Sequence, residues 1–356
     1  MKALATFLIL TLVLTACATP PAADLATQPP AASSDGGAGA PVENVSQPSP
    51  AVPTPEAEVH SDTDSHAEVD IHNLPIGDGK VSTSPQVGYV YSCQTQFNGG
   101  GAFQSGDWIH TDGTFDATAK PSIDGSVTWP SSFTITLQGD VRVVSSNDLP
   151  NHPTGQYPVA QSDDAYNYDR NPNSIQAQSI TWNLPANPTI AASPTCLSMG
   201  AVGILLTGSV FFNALDAGGR DAVAHELQDN CGGHPQQEGM YHYHSLTSCI
   251  EDAGTGHSAL VGYALDGFGI YGVRGENGET LTNADLDQCH GHTHVIEWDG
   301  QQVEMYHYHM TNEYPYTIGC FMGTPVASGQ GGGMGGPQGG QPPAGGPPGG
   351  APPPKP

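Results

Sequence analysis

The sequence has few positively charged side chains. Its 356 residues include 8 Lys and Arg against 35 Asp and Glu, for a formal net charge of −27 with histidine neutral. Between Ala201 and Cys320 the basic residues are Arg220 and Arg274 alone. Nucleic acid and anionic membrane surfaces attract positive charge, so they are poor partners for this chain. A metal ion or a small extracellular ligand is the kind of partner that the composition favours.

Several motifs of covalent and phosphate chemistry are also absent. Ser245 lies beside a histidine but lacks a nucleophile-elbow pattern, and no glycine-rich phosphate-binding loop is present. The acidic residues of Asp266–Gly272 do not have the spacing of a calcium loop. These absences leave the histidines as the main candidates for chemistry.

The first 17 residues have the pattern of a bacterial lipoprotein signal peptide. Lys2 precedes an apolar run, Ala3–Leu14, and Leu14-Thr15-Ala16-Cys17 matches a lipobox. The apolar run is too short to span a bilayer by itself. We therefore expect acylation of Cys17 and a lipid-anchored protein in the cell envelope, outside the cytoplasm. Ala18 is not the Asp that retains such proteins at the inner membrane, which favours the outer membrane where one exists.

Low-complexity segments flank the expected domain. Residues 18–84 are rich in Pro, Ala, Ser, Gly and Thr, and residues 326–356 are almost pure Gly, Pro and Gln. Neither composition buries enough apolar surface to fold, so we expect a disordered tether and a disordered tail. The folded domain is then expected at residues 85–325.

Within that domain the local patterns are those of β-structure. Segments rich in Val, Ile, Thr and aromatic residues alternate with turn-forming clusters and predict strands within 88–96, 126–129, 133–145, 175–182 and 202–215. The best short helix is Ala222–Gln228, with Asp221 as its N-cap. The sequence thus predicts an all-β fold with one or two short helices.

Six cysteines remain after Cys17. An even number in an exported protein indicates disulfides. Symmetry between the repeats described below favours Cys231 with Cys249 and Cys289 with Cys320, which leaves Cys93 with Cys196. A cross-repeat pair of Cys231 with Cys289 would also be symmetric, so both pairings stay open.

A pentapeptide, Met-Tyr-His-Tyr-His, occurs at Met240–His244 and again at Met305–His309. Each copy follows an Asp-x-Cys-x-Gly-His motif, which begins at Asp229 and at Asp287. Successive side chains of a strand point to opposite faces. In an extended chain the methionine and both histidines therefore share one face, and the two tyrosines share the other. This pattern predicts a histidine site on one side and a core on the other.

The repeat is longer than the pentapeptide. Val202–Gly208 aligns with Val261–Gly267, which indicates a duplication with copies at about 201–249 and 260–320. The second copy has seven added residues around Asp299-Gly300, a dipeptide that predicts a hairpin turn. We expect two pseudosymmetric copies that pack face to face and bring their histidines to a shared pocket.

These motifs resemble the YHYH protein family. The resemblance rests on the two Tyr-His-Tyr-His copies, the upstream Cys-x-Gly-His motifs, Asp266–Gly272 and the segment Pro315–Phe321. It extends over roughly residues 85–325. It implies membership of a family and no particular activity.

Three histidines in each repeat are the candidate metal ligands: His234, His242, His244, and His292, His307, His309. Three imidazoles with an open position form a common metal site, and nitrogen ligands near Met240 or Met305 favour copper, with zinc as the second choice. Additional candidates are His290, His294, Asp229 and Asp287. Two alternatives stay open: an extracytoplasmic hydrolase or oxidase that uses the same histidines, and a metal-free interaction module with a structural His/Tyr network. The His225-Glu226 pair is interpreted as a solvated helix face.

Overall fold

The computed structural model describes residues 69–329 except 98 and 253. The predicted signal segment with Cys17, most of the predicted tether and the tail from residue 330 lie outside the described residues. The helical segments among these residues lack the length and hydropathy of a membrane span.

The described residues form mostly short strands, which confirms the all-β prediction. The fifteen strands are β1 Leu74–Pro75, β2 Val81–Ser82, β3 Val90–Tyr91, β4 Thr114–Phe115, β5 Phe133–Gln138, β6 Val141–Ser146, β7 Ile180–Pro185, β8 Ala201–Leu205, β9 Val210–Phe212, β10 Gly233–Pro235, β11 Tyr241–Tyr243, β12 Leu260–Ala264, β13 Gly269–Tyr271, β14 Gly291–Trp298 and β15 Gln301–His309. They form one eight-stranded sheet, one three-stranded sheet and two small two-stranded sheets.

Among residues 69–329, apart from the two gaps, helical structure is limited to two single turns. Asp164–Asn167 is a 3₁₀ turn, and α1 covers Ala222–His225. Asp221 is the N-cap of α1, because its side chain accepts a hydrogen bond from the Ala224 N–H. The predicted helix to Gln228 is too long, since the backbone becomes extended at Glu226. This early end directs the Glu226 side chain to the histidine site described below.

Two long strand predictions are hairpins in the structure. Residues 133–145 divide into β5 and β6, and residues 202–215 divide into β8 and β9. The predicted turn at Asp299-Gly300 joins β14 to β15, and both of its residues have positive φ, 50° and 79°. Positive φ at both central positions is the geometry of a two-residue type I′ turn.

The two repeats lie side by side in the eight-stranded sheet. Its strand order is β10-β11-β9-β8-β12-β13-β15-β14, so the order of the first repeat is mirrored in the second. The outer pairs are antiparallel, and β9–β11 and β13–β15 are the matching parallel pairs. The prediction of face-to-face packing is therefore wrong: the copies meet edge to edge through β8 and β12.

Two glycines at equivalent positions allow the central strands to meet. A Cβ atom at Gly203 would lie 2.5 Å from the Tyr263 carbonyl oxygen, and one at Gly262 would lie 2.5 Å from that of Ile204. Any larger residue would force the two strands apart. The junction between the repeats thus depends on the absence of a side chain at Gly203 and Gly262.

Three disulfides link the domain, and they follow the pairing that the repeat favours. Cys231–Cys249 encloses β10 and β11, and Cys289–Cys320 encloses β14 and β15. The third bond joins Cys93 to Cys196. Each of the first two bonds closes the segment that carries one pentapeptide.

The folded unit extends past both ends of the predicted 85–325 range. Leu74, in the predicted tether, is buried, and the Gly77 N–H donates a hydrogen bond to the buried Asp221 carboxylate. At the other end the Trp182 indole N–H donates to the Ser328 carbonyl. The segment 69–84 thus packs onto the domain, although its composition is close to that of a linker.

The pentapeptide tyrosines lie on the core face of their strands, as the alternation predicts. The Tyr241 hydroxyl donates to Asp229, and the Tyr308 hydroxyl donates to Asp266 over 2.6 Å. The Tyr308 oxygen also accepts from the Met322 N–H over 2.7 Å. Buried phenols with such partners fix the strands in place.

We predict that Tyr308→Phe lowers the free energy of unfolding by about 1–3 kcal/mol, because it leaves the buried Met322 N–H without a partner. Urea unfolding measures the change. Tyr168→Phe is the control, since Tyr168 is 37% exposed, and it should change stability by less than about 0.5 kcal/mol. Equal effects of the two variants would contradict the assigned role of the Tyr308 hydroxyl.

Candidate metal sites

The first histidine cluster, called site I, consists of Glu226, His234, His242 and His244. His234 on β10 is paired directly with His242 on β11, and His244 follows the end of β11. The Nε2 atoms of His242 and His244 are 3.1 Å apart. The Oε2 atom of Glu226 lies 3.2 Å from His234 Nε2 and 3.3 Å from His244 Nε2. Donor atoms from three elements thus converge.

Backbone carbonyls orient two of these rings. His244 Nδ1 lies 2.6 Å from the Asn213 carbonyl oxygen, and His242 Nδ1 lies 3.3 Å from that of Met240. A carbonyl oxygen only accepts, so each Nδ1 carries a hydrogen. In a neutral ring the Nε2 atom then carries a lone pair, which is directed into the site. The Phe212 ring stacks on His242 at 3.9 Å between centroids and holds its plane.

Site I is buried, and burial determines its charge. Burial and then the neighbouring His234 and His244 lower the pKa of His242 well below its usual value. Burial alone would raise the pKa of the Glu226 carboxyl, but His234 and His244 outweigh it and lower that pKa. Near neutral pH the site therefore presents a neutral His242 beside a Glu226 carboxylate.

Three atoms of site I that could bind a metal have no hydrogen-bond partner among the described residues. They are both ring nitrogens of His234 and the Oε2 atom of Glu226. The contacts of Glu226 with His234 and His244 are within ion-pair distance but lack hydrogen-bond geometry. Buried polar atoms rarely stay unpartnered, so this site has the capacity for a further partner.

The second cluster, called site II, consists of His257, His292, His294, His307 and His309. His292 on β14 is paired with His307 on β15, and His309 ends β15. His257 comes from the loop before β12. Its Nε2 atom is 3.3 Å from that of His307 and 3.2 Å from that of His309.

The site II rings are oriented in the same way as those of site I. The Nδ1 atoms of four rings lie close to backbone carbonyl oxygens: His257 to Ser258 at 2.9 Å, His294 to Val295 at 3.0 Å, His307 to Met305 at 3.0 Å, and His309 to Gly272 at 2.6 Å. The carbonyls of Met305 and Gly272 occupy the positions of Met240 and Asn213 in the first repeat. The duplication therefore repeats the orientation of the imidazoles as well as their identity.

Burial lowers the pKa of several site II rings. Burial, followed by the nearby rings, lowers the pKa of His292 to about 4. Burial is also the largest cause that lowers the pKa of His307, to about 2. The Nε2 atoms of His292 and His294 have no hydrogen-bond partner among the described residues. Burial likewise lowers the pKa of His257 and His309, so four rings of site II offer uncharged nitrogen atoms at neutral pH.

Each candidate of the sequence analysis has a definite place in the structure. The six motif histidines divide between the two sites, and His294 joins site II. His290 does not, because its Nδ1 atom lies 2.7 Å from the Thr317 carbonyl and its Nε2 atom 3.1 Å from the Thr311 hydroxyl. Asp229 and Asp287 accept hydrogen bonds from Tyr241 and Tyr306 on the opposite face of the strands. Neither carboxylate lies among the imidazoles.

Two residues of the sites were missed from the sequence. Glu226, interpreted as part of a solvated face, is 7% exposed and contacts two histidines. His257 belongs to a loop with no histidine at the equivalent position of the first repeat. Neither residue is part of the repeated motif, so no spacing in the sequence indicated either one.

The expectation of one shared pocket is wrong. Among the described residues, no candidate metal-binding group combines histidines of both repeats. Five inter-strand spacings separate β11 from β15, about 24 Å along an uncurled sheet. A third group, His152 with Cys231 and Cys249, offers no thiolate because its cysteines form a disulfide. A cavity of about 620 Å³ borders site I, and its lining includes no histidine of site II.

Fold and sites together define a disulfide-linked, internally duplicated β-protein with one histidine cluster in each repeat. Residues 181–281 match the family described as YHYH protein, which supports membership of the chain in that family. The match covers the whole of site I and ends before β14 and β15. No curated protein and no solved structure has a significant match to the chain.

We predict that the metal-free protein loses stability as the pH falls below about 6.5. The unfolded chain then binds a proton on His307 that the folded chain, with a His307 pKa of about 2, does not bind. The loss from this one residue is about 1.4 kcal/mol per pH unit. This loss of stability is absent above the pKa that His307 has in the unfolded chain, and it grows as the solution becomes more acidic.

Urea unfolding of chelator-treated protein, from about pH 7 to about pH 4.5, tests this slope. His307→Gln removes the titrating ring, so its stability should fall less steeply over the same range. Parallel profiles for the parent and the variant would show that His307 titrates normally in the folded state.

Proposed function

We propose that this protein binds a transition metal, copper or zinc, at two separate sites, one in each repeat. The ligands at site I are His234, His242 and His244 with Glu226 as the fourth group, and those at site II include His292, His307 and His309 with His257 and His294. The single observation that supports this most strongly is the contact between His242 Nε2 and His244 Nε2 at 3.1 Å.

A cation between the two rings would account for that contact. Both Nδ1 hydrogens point to backbone carbonyls, so two neutral rings would face each other with lone pairs only. Lone pairs at this distance repel unless a proton or a metal ion lies between them. Burial lowers the pKa of His242 and so disfavours a proton on that ring, and a metal ion held by both Nε2 atoms is the occupant that we propose.

The distances fit a metal ion of the size of zinc or copper. With metal–nitrogen bonds of about 2.0–2.1 Å, ligand atoms of a tetrahedral site lie about 3.3 Å from one another. The contacts between ligand atoms are 3.1–3.3 Å in site I, and 3.2 and 3.3 Å in site II. Neutral imidazole suits both metals, and copper has the higher intrinsic affinity.

A metal-free structural network explains the clusters less well. In such a network the buried imidazoles would donate and accept among protein groups. Here both nitrogens of His234 and the Nε2 atoms of His292 and His294 have no such partner among the described residues. By contrast His290, with both nitrogens bonded, has the environment of a structural histidine.

The cavity at site I favours a second candidate function, an extracytoplasmic hydrolase or oxidase. A metal that keeps a position open to a cavity is the arrangement of catalytic sites. The lipobox at Cys17 supports a lipid-anchored location outside the cytoplasm for either function. Contact with a membrane would then be through the anchor alone, and the acidic charge disfavours nucleic acid as a partner.

We predict about two bound ions per chain when untagged protein is loaded with copper or zinc and the excess is removed. His242→Ala should lose the ion of site I, and His307→Ala that of site II, so each variant keeps about one ion and the double variant none. Elemental analysis against protein concentration gives the numbers.

His110→Ala is the matched control, because His110 lies outside both clusters and bonds to Thr114. It should keep both ions. Metal-free parent protein that folds and resists loading would exclude the proposal. A loss of both ions in either single variant would instead indicate one shared site.

A further inference from the structure

We infer that site I, and not site II, takes an external ligand, and that this ligand is an uncharged organic molecule with an apolar body and hydroxyl groups. The inference rests on the proposed metal at site I and goes further by assigning the occupant of the adjoining cavity.

The cavity has the size and lining of a small-molecule site. Its volume of about 620 Å³ falls within the usual range of about 300–1,000 Å³ for such pockets. All four residues of site I border it. Its other walls include apolar side chains, among them Met199, Phe212, Leu215, Pro235 and Met240. These walls favour a ligand with an apolar body that excludes water from the metal.

Asp169 provides a fixed polar contact in the same cavity. Its side chain is 5% exposed, and its Oδ2 atom has no hydrogen-bond partner among the described residues. Its Oδ1 atom is occupied, because it accepts from the Asn171 N–H over 2.9 Å. The loop is held to β10, since the Asn171 side chain donates to the Pro235 carbonyl. Oδ2 is thus a rigid, buried atom with an unused hydrogen-bonding capacity.

The charges around the cavity favour an uncharged ligand. Asp216 is paired with Arg220, and the exposed Arg170 and Glu238 have opposite signs. The two positive charges of a zinc ion at site I would be balanced by the carboxylates of Glu226 and Asp169. An anion would be placed next to Asp169, and an ammonium group would lose its hydration in an apolar cavity. A hydroxyl group donates to a carboxylate and accepts from a carboxylic acid, so it suits Asp169 in either state.

The two repeats differ in the residues that form their metal sites. Site I has three imidazoles and one carboxylate beside the cavity, whereas site II has five imidazoles from three segments of the chain. A metal with five nitrogen donors within reach has little need of an external ligand. A metal at site I would therefore keep a coordination position open to the cavity, whereas the imidazoles of site II can fill the positions around theirs.

Binding of two matched probes to zinc-loaded protein tests the assignment. Resorcinol has an aromatic body with two hydroxyl groups, and 1,3-dimethoxybenzene has the same ring without hydrogen-bond donors. Calorimetric titration should show resorcinol binding at least about tenfold more tightly, because only its hydroxyl groups donate to Asp169. Asp169→Asn keeps the Oδ1 acceptor for Asn171 and replaces Oδ2 by a donor, so the preference should fall to nearly one.

Asp164→Asn is the control, because it removes the same charge from the same loop at an exposed position, and it should keep the tenfold preference. Equal affinities of the two probes for the parent protein, or an unchanged preference in Asp169→Asn, would overturn the ligand assignment. Zinc content measured on the same samples separates the two claims. Protein that loads neither zinc nor copper at site I refutes the proposed function, whereas zinc-loaded protein without the preference refutes only the ligand class.

Discussion

The hydrogen bond from a histidine Nδ1 to a strand-end carbonyl is the constraint on which both sites depend. His244 makes it with Asn213 and His309 makes it with Gly272, each at 2.6 Å. The two acceptors follow β9 and β13, which run parallel to β11 and β15. The parallel pairing therefore brings a carbonyl to the place where the pentapeptide ends. Without this hydrogen bond the imidazole ring of His244 or His309 could turn, and its Nε2 atom would have no fixed direction.

The core face of the pentapeptide explains why that pairing is stable. Tyr241 and Tyr243, and likewise Tyr306 and Tyr308, are buried and bonded to polar partners, among them Asp229, Thr207, Asp287 and Asp266. Each disulfide closes the same segment from outside. Tyrosines on one face and cysteines at the ends thus hold the strand, so the histidines on the other face need not contribute to folding. This division leaves their Nε2 atoms available for a ligand.

Much of this arrangement could be predicted from the sequence, because it depends on local rules. Strand alternation separates His242 and His244 from Tyr241 and Tyr243, and Asp299-Gly300 forms the expected turn. The relation between the repeats could not be predicted in this way. It depends on the contact of Gly203 and Gly262 across the central strands, which no local pattern reveals. Glu226 and His257 reach their sites through long-range packing, outside the repeated motif.

The central claim is that two separate metal ions lie on inward-facing Nε2 atoms, one in each repeat. Crystals grown with copper or zinc and measured at the absorption edge of that metal test it most directly. The account predicts two anomalous peaks per chain. One lies at bonding distance, about 2.0–2.1 Å, from the Nε2 atoms of His242 and His244, and the other lies at the same distance from the Nε2 atoms of His307 and His309. A single peak shared by the repeats, binding through Nδ1, or metal-soaked crystals with no peak at either cluster would contradict it.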